Sequence, residues 1–264
     1  MTTATTSAGV HTRPRPGVTA AITTRVLRQL KHDHRTIGLL VVVPSMLLGL
    51  LYLLWKNLPT LPGQPGLFDR VGLPMLGIFP FVVMFLVTSI AMLRERSSGT
   101  LERLLSMPLS RLDLLLGYGI AFGLAAAVQA VVTVTVATTA YDLDVAGPLW
   151  AVVLIAVVDG VLGVALGLLA SAFARTEFQA VQFMPVIVLP QFFLCGLLVP
   201  INQMDGWLQA ISRVLPLTYA VDALKQVGAH ADPTGTMWLD IGVVAGAAVV
   251  ALGLAAATLR RRTP

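Results

Sequence analysis

Polar and apolar residues segregate along this chain into long blocks. Apolar runs occupy roughly residues 37–55, 74–93, 114–140, 149–171, 183–200 and 241–259, and charged residues gather between them. Runs of about 18 residues or more are long enough to cross a bilayer as helices. They are continuously apolar, whereas barrel strands alternate in polarity over segments of roughly ten residues. A helix also pairs its backbone polar groups within its own segment, as lipid requires. The pattern predicts an all-α, polytopic membrane protein with six transmembrane helices within residues 37–264. Ahead of them, residues 1–17 are rich in Thr, Ala and Pro and are expected to be disordered.

Between that tail and the first span, 18–36 reads as an amphipathic membrane-surface helix. Ile22, Val26, Leu27 and Leu30 recur at helical spacing, with Arg25, Arg28 and Lys31 elsewhere on the wheel. Such a helix suits an anionic leaflet, and an ordinary charged flank fits the same residues. The longest loop, about 201–240, carries Trp207, Leu208, Ile211, Leu215, Tyr219 and Leu224, a pattern expected of helices at the outer membrane surface. Pro80 in the second span predicts a kink.

One polar block stands out. "RERSSGTLERLLSMPLSR", Arg94 to Arg111, separates the second and third spans. Gly99 can serve as an N-cap with Glu102 in half of a capping box, and Pro108 ends the short helix that follows. Leu101, Leu104 and Leu105 share one face of it, with Glu102 and Arg103 off that face. "SRLD", Ser110 to Asp113, is a second capping box that opens the third span. The block predicts an amphipathic helix parallel to the membrane, longer than a plain connector needs.

Charge adds orientation. With the N-terminus placed in the cytoplasm, fourteen of the eighteen Lys and Arg residues fall inside. Only Lys56, Arg70, Arg213 and Lys225 fall outside, a strong positive-inside bias. The net charge of +5 therefore reads as topology, with both termini in the cytoplasm, rather than as a nucleic-acid surface. Charged residues make up 12% of the chain, about half the share of a soluble domain. The first 36 residues are polar and the run after them is long enough to remain as an anchor, so no cleavable signal peptide is expected.

The chemistry-bearing residues are few. Cys195 is the single cysteine, which excludes an intrachain disulfide and a cysteine metal cluster. His32 and His34 at i and i+2 do not share a helix face, and no metal site is expected. HExxH, GxSxG and GxxxxGK[ST] are all missing, so the chain has no usual loop for hydrolysing ATP. Asp159 is the one ionisable residue well inside a span, eleven residues after Pro148 and about 16 Å deep. It borders a small-residue stripe of Ala156, Gly160, Gly163, Gly167 and Ser171. A hydrogen bond to a neighbouring helix and a substrate or proton role both fit it. Phe79, Phe85, Phe183 and Phe192, in the second and fifth spans, fit either a path for a flat apolar compound or ordinary packing.

"LRERSSGTLERLLSMPLSRLDLLLG" resembles the signature of ABC-2-type permeases, the membrane subunits of bacterial ATP-driven exporters. The likeness extends to "ARTEFQAVQFMPVIVLPQFFLCGLLVPINQMDGWLQAISRVLPLTYAVDAL" and covers about residues 20–262. In particular it resembles daunorubicin- and multidrug-resistance-type permeases. The resemblance implies that the helix between spans 2 and 3 is a coupling helix docking on a separate ATPase. Glu95, Gly99, Thr100, Leu101, Glu102, Pro108 and Arg111 would form that contact. It further implies two permease chains, as homodimer or heterodimer, with two ATPase chains that bind ATP and Mg. This chain itself would then bind no cofactor and catalyse no reaction. Its setting would be the plasma membrane of a bacterium, and its cargo hydrophobic drugs or lipid-like metabolites. Export of a glycolipid or polysaccharide, or a proton-coupled carrier using Asp159, are the alternatives.

Overall fold

The structure, a computed structural model, describes residues 15–59, 66–106 and 110–258. Among these the chain is helical, with no strand. In order come α1 (Pro16–His32), α2 (His34–Trp55), α3 (Leu67–Ser97), α4 (Thr100–Ser106), α5 (Arg111–Ala140) and α6 (Leu149–Ser171). Then follow α7 (Glu177–Leu194), a 3-10 turn (Ile201–Gln203), α8 (Gly206–Ser212), α9 (Pro216–Ala229) and α10 (Gly235–Thr258). Six of these helices, α2, α3, α5, α6, α7 and α10, are long and apolar enough to cross a membrane.

The centre of the bundle is the seam between α3 and α6, and small residues create it. A Cβ on Gly167 would lie 2.6 Å from the Phe85 carbonyl oxygen, and one on Gly160 would lie 3.0 Å from Ala126 of α5. Gly163 meets the Phe81 backbone still more closely. The stripe from Ala156 to Ser171 is buried throughout, and it lets helix backbones approach where no hydrophobic effect drives them together. Around this pair the outer helices turn apolar side chains outward. Leu54 of α2, Val186 of α7 and Val249 of α10 are each 68% exposed, as lipid-facing residues are. At 1.5 Å per residue the 31 residues of α3 reach about 46 Å, so its ends project beyond a hydrocarbon core of about 30 Å. The helix runs continuously through Pro74 and Pro80.

Three details depart from the sequence pattern. The fifth span runs from Glu177 to Leu194 rather than over 183–200, because Gly196 (φ +78°) takes a left-handed turn that ends the helix while the sequence stays apolar. The helix before the first span starts at Pro16 and stops at Asp33, whose carboxylate accepts from the Thr36 amide at 3.2 Å and its hydroxyl at 2.6 Å and so caps α2. Its stripe, expected to face lipid, faces protein: Ile22 and Val26 are buried with Leu114 and Tyr118 of α5. Finally, α9 turns its apolar face to protein and leaves Asp222 and Lys225 exposed. Leu217, Val221, Leu224 and Val227 are buried, and the helix packs among α3, α6 and α10. Its amphipathic pattern marks a protein interface, which periodicity alone does not distinguish from a lipid one.

Candidate functional site

The segment linking α3 to α5 begins where α3 stops. Gly99 adopts φ +72°, the left-handed region that favours glycine, and its amide donates back to the Arg96 carbonyl at 3.3 Å. The Gly99 carbonyl accepts from the Arg103 amide at 3.2 Å, which starts α4. One residue thus ends a span and caps the next helix. The Thr100 and Ser98 hydroxyls hydrogen bond across it at 2.9 Å. Along α4, Leu104 points inward into a cluster with Ile22, Val26, Met92 and Leu114, while Arg103 and Ser106 are exposed. The backbones of Leu101 and Glu102 lie in α4 and that of Arg111 opens α5. Pro108 lies outside the described residues.

The second capping box forms as the sequence predicts. The Asp113 amide donates to Ser110 Oγ at 3.0 Å, and the Ser110 amide donates to Asp113 Oδ2 at 2.9 Å. The same carboxylate has a further role that sequence spacing does not reveal. Its Oδ1 accepts from the Arg15 amide at 2.6 Å and from the Thr19 hydroxyl at 3.1 Å, so it caps α1 as well. Asp113 is buried and fastens two helix N-termini, from residues 98 positions apart, to one point.

Glu95 faces α1. It accepts two hydrogen bonds from Arg25, at 2.8 and 3.0 Å, and is 12% exposed. Its neighbour Arg94 pairs with Glu177 at the start of α7, at 2.9 Å, in a much more exposed setting. Asp33 sits nearby, and its hydrogen bonds from Thr36 hold its carboxyl below the usual range, with Arg94 adding a smaller pull in the same direction. One end of the bundle is therefore a network in which α4 is fixed to α3 and α5 by chain and to α1 by packing. The Arg94–Glu177 bridge adds α7.

The aromatic and acidic candidates lie deeper. Phe85 and Asp159 are fully buried; Phe79, Phe183 and Phe192 are partly buried and pack on the same core cluster as Phe85. Asp159 lies in the α3–α6–α9 seam: a Cβ on Gly77 would be 3.3 Å from its Oδ2 and 2.8 Å from Leu224. Neither carboxylate oxygen has a hydrogen-bond partner, so the interhelical bond that the sequence allowed is not made. Among the described residues no cluster of His, Cys, Asp and Glu is arranged to hold a metal ion. At the opposite end from Glu95, Lys225 of α9 donates to the Gly196 carbonyl at 2.6 Å and ties α9 to the turn that ends α7.

Residues 18–227, which include the short helix α4 between the second and third of the six spans, match the family described as ABC-2 type transporter. The chain belongs to that family. Among individual relatives, this ABC-2 protein is 29% identical over 153 residues to the probable multidrug ABC transporter permease YbhR of Escherichia coli (strain K12). That match covers 58% of this chain but only 42% of the relative, so the chain spans less than half of that protein's length. It is 26% identical over 207 residues to the probable doxorubicin resistance ABC transporter permease protein DrrC of Mycobacterium tuberculosis, covering 77% of this chain and 74% of the relative. Nodulation protein J of Rhizobium meliloti is 30% identical over 103 residues, 39% of each chain.

Proposed function

We propose that this chain is the permease subunit of an ATP-binding cassette exporter, moving hydrophobic drugs or lipid-like metabolites across the membrane. A separate subunit binds ATP and Mg and hydrolyses the nucleotide, and two permease chains, identical or different, form the conduit. The basic end of the bundle, with both termini, faces the cytoplasm of a bacterium. The observation that carries the reading is the capped helix α4, held at that end by Gly99, Leu104 and the Ser110–Asp113 box. The resemblance of the relatives, named as drug permeases, supports the cargo class.

In this reading α4 is the point where force enters. A push on its exposed face, which includes Arg103, is carried by Leu104 and Asp113 into α1 and α5 together. Glu95 keeps α3 registered on α1, and Arg94 passes displacement to Glu177 at the foot of α7. The α3–α6 seam has no room to slide without moving backbone, so it travels as a unit. The compliant element is α7, which carries Pro185 and Pro190 within its length, each lacking the amide that a helix interior uses. Cargo passes where α7 parts from α3.

The test is reconstitution with a candidate ATPase subunit from the same organism. Uptake of a fluorescent hydrophobic dye into inside-out vesicles requires ATP, and Leu101→Asp or Arg103→Glu loses the ATPase on co-purification while the helical content is kept. ATP-independent transport by the chain alone overturns the proposal. The partnerless Asp159 supports one competing reading, a proton-coupled carrier. Dye uptake driven by a pH gradient and abolished in Asp159→Asn selects that reading.

A further inference from the structure

Charge at the basic end of the bundle does not balance side chain by side chain. Each described acid there is already engaged: Asp33 with Thr36, Glu95 with Arg25, Asp113 with Ser110, Arg15 and Thr19, and Glu177 with Arg94. Glu102, whose side chain lies outside the described residues, is the remaining acidic side chain of this end. Arg25 and Arg94 have their ion pairs. Arg96 has none. Among the described residues its side chain makes no hydrogen bond or ion pair, and no acid acts on its charge. The residue is half-buried, and its Nε is shielded from water without an acceptor. Its two terminal nitrogens, equally unpartnered, are not shielded. A guanidinium taken partly out of water without a counter-charge is costly, and its forked donors fit a carboxylate.

Helical spacing fixes where Arg96 stands. It follows Met92 by four residues and Leu93 by three, so it continues their buried face of α3. Met92 packs in the cluster that holds Leu104 of α4, whereas Leu93 packs with Ala174 of the α6–α7 turn and Ala180 of α7. Arg96 therefore emerges between α4 and the α6–α7 turn rather than on the outer face of the bundle. The Arg94–Glu177 bridge closes the start of α7 against the same end of α3. On the turn itself, Phe173 is 64% exposed beside the buried Ala174. An unpaired arginine and an exposed aromatic on neighbouring segments are the residue types enriched at the centres of protein interfaces.

We propose that Arg96 and Phe173 form a second docking point for the ATPase subunit, alongside the exposed face of α4. A carboxylate of that subunit accepts from the terminal nitrogens of Arg96, and an apolar side chain of it covers Phe173. The contact supplies the counter-charge that this chain lacks. It also joins the ATPase to the foot of α7 through the α6–α7 turn, and not through α4 alone. The inference rests on the ATP-driven reading above and deepens it, because it names the chemistry that the partner must present.

The experiment measures the affinity of the purified, delipidated full chain in non-ionic detergent for a candidate ATPase subunit from the same organism. Arg96→Gln should weaken binding about thirtyfold or more, as loss of one partner of a desolvated charge pair does. Arg96→Lys, which keeps the charge but not the fork, should fall between the two. Phe173→Ser should cost about fivefold, and Arg35→Gln, at an exposed arginine of the same end, less than about twofold. Thermal melting of the isolated chain separates docking from a structural role. Arg96→Gln removes a half-buried charge without a counter-charge, so it should leave the melting temperature unchanged or raise it. A lowered melting temperature identifies a partner inside the chain, such as Glu102, and overturns the proposal. If the wild-type chain binds no ATPase, both readings fall; if it binds and Arg96→Gln binds equally well, this one alone falls. Recovery of Arg96→Glu binding by an acid-to-lysine change on the ATPase would identify the carboxylate.

Discussion

Asp113 concentrates more structural consequence than any other charged residue near α4, and removing its carboxylate should show it. Each of its two oxygens serves a different helix. Oδ2 accepts from the Ser110 amide and hydroxyl at the start of α5, and Oδ1 from the Arg15 amide and Thr19 hydroxyl at the start of α1. In Asp113→Ala two backbone amides lose their acceptors in a largely dry setting. At about 1–2 kcal/mol for each, the total is roughly 3 kcal/mol. The α1 share, about 1.4 kcal/mol, corresponds to a tenfold change in local opening. Ile22 and Val26 remain buried, so α1 should fray from its N-terminus instead of detaching. Hydrogen exchange read by mass spectrometry should therefore accelerate about tenfold in the first two turns of α1 and leave α6 unchanged. Asp113→Asn sharpens the test, because its single carbonyl oxygen can serve only one of the two helices. It should release either α1 or α5, but not both. Unchanged exchange at the start of α1 in both variants would refute the idea that one carboxylate holds these two helix ends.

Three further outcomes are expected. Gly167→Ala places a Cβ against the Phe85 carbonyl oxygen at 2.6 Å and should destabilise the purified protein by roughly 1–3 kcal/mol, whereas Gly38→Ala, with open space around it, should be neutral or slightly stabilising in the same thermal assay. For the Arg25–Glu95 pair, a double-mutant cycle on α1 protection should give a coupling of about 1 kcal/mol, and the swap Arg25→Glu with Glu95→Arg should recover part of what each single change loses. Asp33, held below its usual range by the Thr36 hydrogen bonds, should stabilise the start of α2 fully above the ordinary carboxylate pKa of about 3.9, losing that contribution as pH falls through its lower folded value; Asp33→Asn should flatten this profile in hydrogen exchange at Thr36.

What the chain discloses before folding depends on the range of the interaction concerned. The spans are readable because bilayer thickness acts on every residue of a run, and the fourth span, 149–171, matches α6 end to end. The Ser110–Asp113 box is readable because both partners lie within one turn. Gly196 hid in an apolar run, where hydropathy carries no record of φ; the glycine at the end of a helix was the available signal. The face of α9 was legible as amphipathic, but periodicity cannot say whether lipid or protein covers it, and three helices do. Nor can spacing reveal that Asp113 reaches back 98 residues to Arg15, or that Glu95 turns toward Arg25. This last point bears on function. A charged block between spans suggests a surface offered to a partner, yet its best-placed acid is engaged within the chain. If α4 is driven by an ATPase, the carboxylates of Glu95 and Asp113 transmit the motion inward, and recognition of the partner falls to the exposed face around Arg103 and Ser106.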